Sequence, residues 1–132
     1  MSDLTQSSTV EATLDLDFLR ALLPEEPDEA AEFVGSLEEI HVATANTCLE
    51  NIRVANRNQD SVLLHAAAHS LKGAGLSLGA LGMVRVLRQL ESARSSAWDM
   101  VSGLVSELEC ETGRVQQALI MFRHQLVAGS AR

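Results

Sequence analysis

The sequence of 132 residues contains few aromatic, proline and cysteine residues. Aromatic residues make up only 3% of the chain, with three Phe, one Trp and no Tyr. Because few rings are present to stack on bases and the net charge is −8, nucleic-acid binding is not expected. Both prolines, Pro24 and Pro27, lie near the start, so residues 28–132 lack this helix breaker. Alanine and leucine, two strong helix formers, are abundant, and an all-α protein is predicted.

The cysteines and apolar segments indicate the compartment. Cys48 and Cys110 do not have the spacing of metal ligands, and we expect two buried, reduced thiols. The polar and acidic N-terminus is unlike a secretory signal. The most apolar tract, residues 73–84, is too short to span a bilayer. We therefore expect a cytoplasmic protein that does not associate with membranes.

The first half of the chain predicts a tail and two helices. Residues 1–13 have no apolar periodicity and are predicted to form a flexible N-terminal tail. Residues 14–23 predict a short amphipathic helix that ends before Pro24. Pro27 is suited to the first turn of a long helix, and apolar spacing extends that helix to about Arg57.

Two further helices are predicted in the middle of the chain. Asp60 is a good N-cap for a helix that begins at Ser61 and ends near Ala74. The glycines of residues 75–79 predict a break, after which Ser77 caps a helix that runs to Arg94.

Ser95 and Ser96 predict the cap of the last helix. Its apolar residues alternate in steps of four and three: Val101, Val105, Leu108, Thr112, Val115, Leu119, Phe122 and Leu126. Long amphipathic helices with short connections favour an antiparallel up-down four-helix bundle, here with a short additional N-terminal helix. The predicted domain spans residues 14–127, residues 128–132 form a C-terminal tail, and a monomer is expected.

The third predicted helix has one apolar face and one face that can carry chemistry. At 100° per residue its apolar positions are Leu64, Ala67, Ala68, Leu71, Ala74 and Gly75. The opposite face presents His65, His69, Lys72 and Gly73. Lys72 is the only lysine of the chain. An imidazole with a pKa of about 6.5 is largely neutral and nucleophilic near neutral pH. An ammonium one turn away can neutralise a phosphoryl group on that ring, and a glycine leaves room for another protein's active site.

This stretch resembles the histidine-containing phosphotransfer (HPt) domain family. The residues that carry the resemblance are Asp60, the run Ala68-His69-Ser70-Leu71-Lys72-Gly73, the pair Gly79-Ala80, and Leu90-Glu91. The resemblance implies that His69 accepts a phosphoryl group from the aspartyl phosphate of a receiver domain and passes it to another receiver. It also implies that the receiver brings Mg²⁺ and that this chain binds no cofactor. The sequence has no P-loop and no Gly-x-Gly-x-x-Gly motif, so no ATP-dependent kinase activity is expected.

Other interpretations of the same residues remain open. Val62, His65, Ala66 and Leu76 are candidates for contacts with the partner. His65 could instead orient the His69 ring, or have no role. His65 and His69 have the spacing of half a zinc site, but a third ligand at suitable spacing is lacking, and no metal site is predicted. His41 and His124 have no comparable neighbours and no role is assigned to them. The alternative function is a helical adaptor that binds a receiver or kinase without carrying phosphate.

Overall fold

A computed structural model describes residue 10, residues 13–94 and residues 97–130. Over these residues the chain forms five helices with short connections. They are α1 (Leu16–Leu22), α2 (Pro27–Asn58), α3 (Ser61–Leu78), α4 (Leu81–Ser92) and α5 (Trp98–Ser130).

Helices α2 to α5 form an antiparallel four-helix bundle, as predicted. Each of them packs against two of the others, in the order α2, α3, α4, α5 and back to α2. Contacts between α2 and α5 run in opposite directions along the two helices: Glu38 contacts Arg123, and Asn56 contacts Ser102. The core is aliphatic, and Phe122 is the largest fully buried side chain. The predicted stripe on α5 faces this core, since all of its residues are buried except Leu126, which is partly buried.

Local signals explain several of the helix ends. Asp60 is the N-cap of α3, as predicted, and its Oδ1 accepts a hydrogen bond from the Leu63 N–H at 3.1 Å. Asp15 caps α1 in the same way through the Phe18 N–H. Gly79 ends α3 with a φ of +64°, a left-handed conformation that glycine adopts at little cost.

The predicted break between α3 and α4 is present at Gly79, but it does not begin at Gly75. Helix α3 continues through Gly75 to Leu78, and a Cβ at Gly75 would lie 2.8 Å from Met83 Cε. Gly75 therefore permits α4 to approach closely rather than ending the helix. Ser77 does not cap α4: its Oγ donates to the Gly73 carbonyl at 3.1 Å, and Ala80 occupies the N-cap position. Helix α4 ends at Ser92 rather than Arg94.

The ends of the predicted domain also differ from the structure. Residues 1–9, 11 and 12 of the predicted tail, and the predicted cap at Ser95 and Ser96, lie outside the described residues. Val10 is fully buried in the core, and its carbonyl accepts a hydrogen bond from the Leu14 N–H at 2.9 Å. Helix α5 continues to Ser130, beyond the predicted domain end at residue 127, since no proline interrupts it.

The two cysteines have different surroundings. Both are free thiols; Cys48 is buried on α2, as predicted, but Cys110 is exposed on α5. The prediction of two buried thiols is therefore wrong for Cys110, which lies outside the apolar stripe of its helix. Burial raises the pKa of the Cys48 thiol.

Candidate functional site

The predicted nucleophile lies on the exposed face of α3. The His69 side chain is 76% exposed, whereas Ala68 and Leu71 beside it are fully buried. The predicted burial of the apolar face and exposure of His69 and Gly73 are thus observed, whereas Lys72 is only 20% exposed. The ring is open to an approaching protein.

A carboxylate from α4 holds one nitrogen of the His69 ring. The Nδ1 atom of His69 lies 2.7 Å from Oε1 of Glu91. A carboxylate accepts hydrogen bonds, so this contact favours the tautomer with the proton on Nδ1. The lone pair of the neutral ring then lies on Nε2, the nitrogen that a partner can reach.

Lys72 binds the other oxygen of the same carboxylate. Its Nζ donates to Oε2 of Glu91 at 2.6 Å, and both side chains are 20% exposed. Glu91 therefore joins the imidazole and the ammonium, and we refer to it as the shared carboxylate. Burial alone would raise the pKa of Glu91, but hydrogen bonds from Lys72 and His69 and their charges outweigh this effect and lower it.

The surface around His69 has space and apolar side chains. Gly73 is exposed, and a Cβ there would have no atom within 4 Å. Val62 is 79% exposed, Leu76 is 45% exposed, and Ala66 is also exposed. The structure therefore brings these predicted partner residues to the exposed surface of the helix that carries His69.

His65 differs from the other predicted partner residues. It lies one turn before His69 on α3, and its Nε2 is 3.2 Å from the carbonyl oxygen of Ala93. Its ring thus makes a polar contact within the chain, across the junction of α3 with α4.

Comparison with known proteins identifies the family of the chain. The sequence-family model of the Hpt domain matches residues 10–119, which is most of the chain. The chain belongs to the Hpt domain family. Its role is therefore that of a phosphoryl carrier in a phosphorelay, and the resemblance found in the sequence is confirmed. Hpt domains are carriers rather than kinases, and they work with receiver domains.

A solved structure is similar to this Hpt domain. It is the crystal structure of histidine-containing phosphotransfer protein B (HptB) from Pseudomonas aeruginosa PAO1. The TM-score is 0.70 at 23% sequence identity, with 86% of this chain and 96% of that chain covered. This likeness supports the helical-bundle fold. Comparison with curated protein sequences finds no match.

Two further properties of the described residues of this Hpt domain concern metal binding and membrane insertion. Among residues 10, 13–94 and 97–130, no three His, Cys, Asp or Glu side chains are grouped so that they could hold a metal ion. None of the helices in these ranges has the length and apolar character needed to cross a membrane.

Sequence reasoning missed two residues of this Hpt domain. Glu91 belongs to the family pattern in the sequence, but the sequence does not indicate its role, because its contact with His69 depends on how α3 and α4 pack. His41, left without a role, is buried, and its Nε2–H donates to the Thr112 carbonyl at 3.0 Å. Its buried Nδ1 has no hydrogen-bond partner among the described residues, and burial lowers the pKa of the ring. Nothing in the local sequence around His41 indicates this burial.

Proposed function

We propose that His69 is the residue that carries the phosphoryl group. It accepts the group from the aspartyl phosphate of one receiver domain and passes it to another. The observation that supports this assignment best is the orientation of the ring. The shared carboxylate engages Nδ1, and Nε2 remains open on a side chain that is 76% exposed.

The chemistry follows from this orientation. The Nε2 lone pair attacks the phosphorus, the N–P bond forms, and the bond between the phosphorus and the aspartyl oxygen breaks. The aspartate leaves as a carboxylate. Positive charge develops on the imidazole during the attack, and the carboxylate of Glu91 beside Nδ1–H stabilises that charge. The Nδ1 proton stays on the ring throughout, so no base has to remove it.

Lys72 and Gly73 have distinct roles in this proposal. The Lys72 ammonium lies one turn beyond His69 and is held by the same carboxylate, so it can neutralise phosphoryl oxygens on the ring. Gly73 carries no side chain at an exposed position, which keeps the approach to the ring open for the receiver. Transfer then depends mainly on alignment and charge neutralisation.

The partner contacts are proposed on the same face. Val62, Ala66 and Leu76 provide exposed apolar surface beside His69, and a receiver domain is the partner that would cover it. His65 was predicted to belong to this group, but its contact with Ala93 suggests another role, which is developed below.

We further propose that the carrier works without a cofactor of its own. The receiver would supply Mg²⁺ together with its acidic pocket, and the chain would have no ATP-dependent kinase activity. A monomer suffices, because His69, Lys72 and Glu91 come from one chain. The free thiols of Cys48 and Cys110 are consistent with the cytoplasm, where thiols are kept reduced.

The test is transfer of labelled phosphate. The protein is incubated with a kinase–receiver pair, radiolabelled ATP and Mg²⁺, and acid-labile label on the chain is measured. We expect label on the wild-type protein and none on His69→Gln. His124→Gln, at an exposed histidine of α5, is the matched control and should be labelled normally. The adaptor alternative predicts no label on the wild type and receiver binding that His69→Gln does not change. That result would contradict the assignment of His69.

A further inference from the structure

His65 makes a polar contact that links the two helices of the site. Its Nε2 lies 3.2 Å from the Ala93 carbonyl oxygen, and a carbonyl can only accept, so the ring donates from Nε2–H. The last carbonyl groups of a helix have no partner within that helix. His65 therefore provides a donor at the C-terminal end of α4, which Ala93 caps.

The position of this contact places it beside the site. On α3, His65 lies four residues, about one turn, before His69. At the end of α4, the C-cap residue Ala93 follows Glu91 by two residues. The junction of α3 with α4 thus carries three polar contacts: His65 with Ala93, and His69 and Lys72 with Glu91. The contact of His65 with Ala93 restrains the C-terminal end of α4, and Glu91 lies in that last turn.

The position of Glu91 near the end of α4 explains why a contact that restrains this end would matter. Glu91 lies in the last turn of α4, where helices fray most easily. Beyond Ala93, residue 94 is not helical. The apolar residues of α4 nearest its end, Leu87 and Leu90, are fully buried and hold the helix to the core. His65 adds a polar contact to this end of α4 from an exposed position on α3.

We infer that His65 is a positioning residue for the phosphotransfer reaction. By holding the last turn of α4 against α3, it keeps the Glu91 carboxylate on Nδ1 of His69 and so keeps Nε2 available as the nucleophile. The inference rests on the proposed function of His69. It replaces the predicted role of His65 as a partner contact.

The two roles of His65 differ in what they predict for different receivers. A positioning residue acts within the carrier, so its loss slows transfer by the same factor with every receiver. A partner contact acts on one interface at a time, so its loss has an effect that depends on the receiver.

The test uses His65→Ala and His65→Gln, with His124→Ala as the matched control on α5. The glutamine amide can donate to the Ala93 carbonyl, whereas alanine cannot. The first measurement is nitrogen NMR of the unphosphorylated proteins at about pH 8, above the ordinary pKa of an imidazole. The chemical shifts report which ring nitrogen of His69 carries the proton. The second measurement is the rate of transfer from two different phosphorylated receivers. Thermal unfolding of each variant is followed in parallel.

We expect a lower Nδ1–H fraction of His69 in His65→Ala, and transfer slower by roughly fivefold with both receivers, as for one lost hydrogen bond. His65→Gln should restore both quantities, and His124→Ala should change neither. Wild-type tautomer populations in His65→Ala would overturn the inference, as would a loss of transfer confined to one receiver. If the wild-type protein accepts no phosphate, the proposed function fails, but the tautomer measurement still decides whether His65 positions the ring.

Discussion

Replacing Glu91 with alanine removes the acceptor that both His69 and Lys72 use. In the structure, its two oxygens lie 2.7 Å from His69 Nδ1 and 2.6 Å from Lys72 Nζ. Without this carboxylate the His69 ring can rotate and populate both neutral tautomers, and the Lys72 ammonium loses its anchor. We therefore expect Glu91→Ala to fold normally but to accept phosphate more slowly.

The size of the effect follows from the exposure of the groups. A hydrogen bond to a charged group contributes roughly 1.5–3 kcal/mol where it is sheltered. The His69 side chain is 76% exposed, so water competes for Nδ1 and the contribution is smaller. We take about 1 kcal/mol for the transition state, which corresponds to a rate about fivefold lower. Glu91→Gln keeps one acceptor oxygen and loses the charge, and its rate should lie between those of the wild type and Glu91→Ala.

The assay is a single-turnover transfer from a labelled receiver, with the carrier in excess and its concentration varied. We expect the maximal rate to fall and the concentration dependence to stay the same, because the carboxylate acts on the ring rather than on docking. Glu107→Ala, at an exposed acidic residue of α5, is the control for loss of negative charge. A wild-type rate in Glu91→Ala, or equal losses in Glu91→Ala and Glu107→Ala, would refute the role of the shared carboxylate.

Three further predictions concern two glycines and a buried histidine. Gly73→Ala should stabilise the protein by up to about 1 kcal/mol in denaturant unfolding, because the new Cβ meets no atom within 4 Å. The same substitution should slow phosphoryl transfer, because the methyl group obstructs the approach to His69. An unchanged transfer rate would refute the proposed access role of Gly73. Gly75→Ala should instead lower the free energy of unfolding, because its Cβ would lie 2.8 Å from Met83 Cε and 3.0 Å from Val84 Cγ2, and both side chains are buried with little room to move aside. An increased melting temperature would contradict this reasoning. The pKa of His41 is lowered by burial, so the unfolded state binds this proton more readily, and stability should fall as pH drops below the ordinary value of 6.5. In His41→Leu the difference between melting temperatures on the two sides of that pH should shrink; a difference equal to that of the wild type would show that other groups cause it.

The fold could be predicted from sequence where the signal is local to one helix. The apolar steps on α5, from Val101 to Phe122, determine its buried face without reference to the other helices, and that face is buried as predicted. Asp60 likewise caps the helix that it directly precedes. The exposed position of His69 follows from the same periodicity.

The features that sequence did not predict depend on contacts between helices. Gly75 could end α3 or allow a neighbour to approach, and only the position of Met83 on α4 distinguishes these possibilities. Glu91 is separated from His69 by 22 residues, and its role requires that the two helices pack in one particular register. His41 is buried through its contact with Thr112, which is 71 residues away. The spacing of residues within one helix does not reveal contacts between residues of different helices.

The two-residue connection between α3 and α4 has a consequence for the order of folding. Gly79 and Ala80 join these helices, and the contacts of His69 and Lys72 with Glu91 span only 22 and 19 residues. Closing so short a loop costs little chain entropy, whereas pairing α2 with α5 brings together residues such as His41 and Thr112 from distant parts of the chain. We therefore expect the hairpin of α3 and α4 to form early, so that the site around His69 takes shape before α2 and α5 pair.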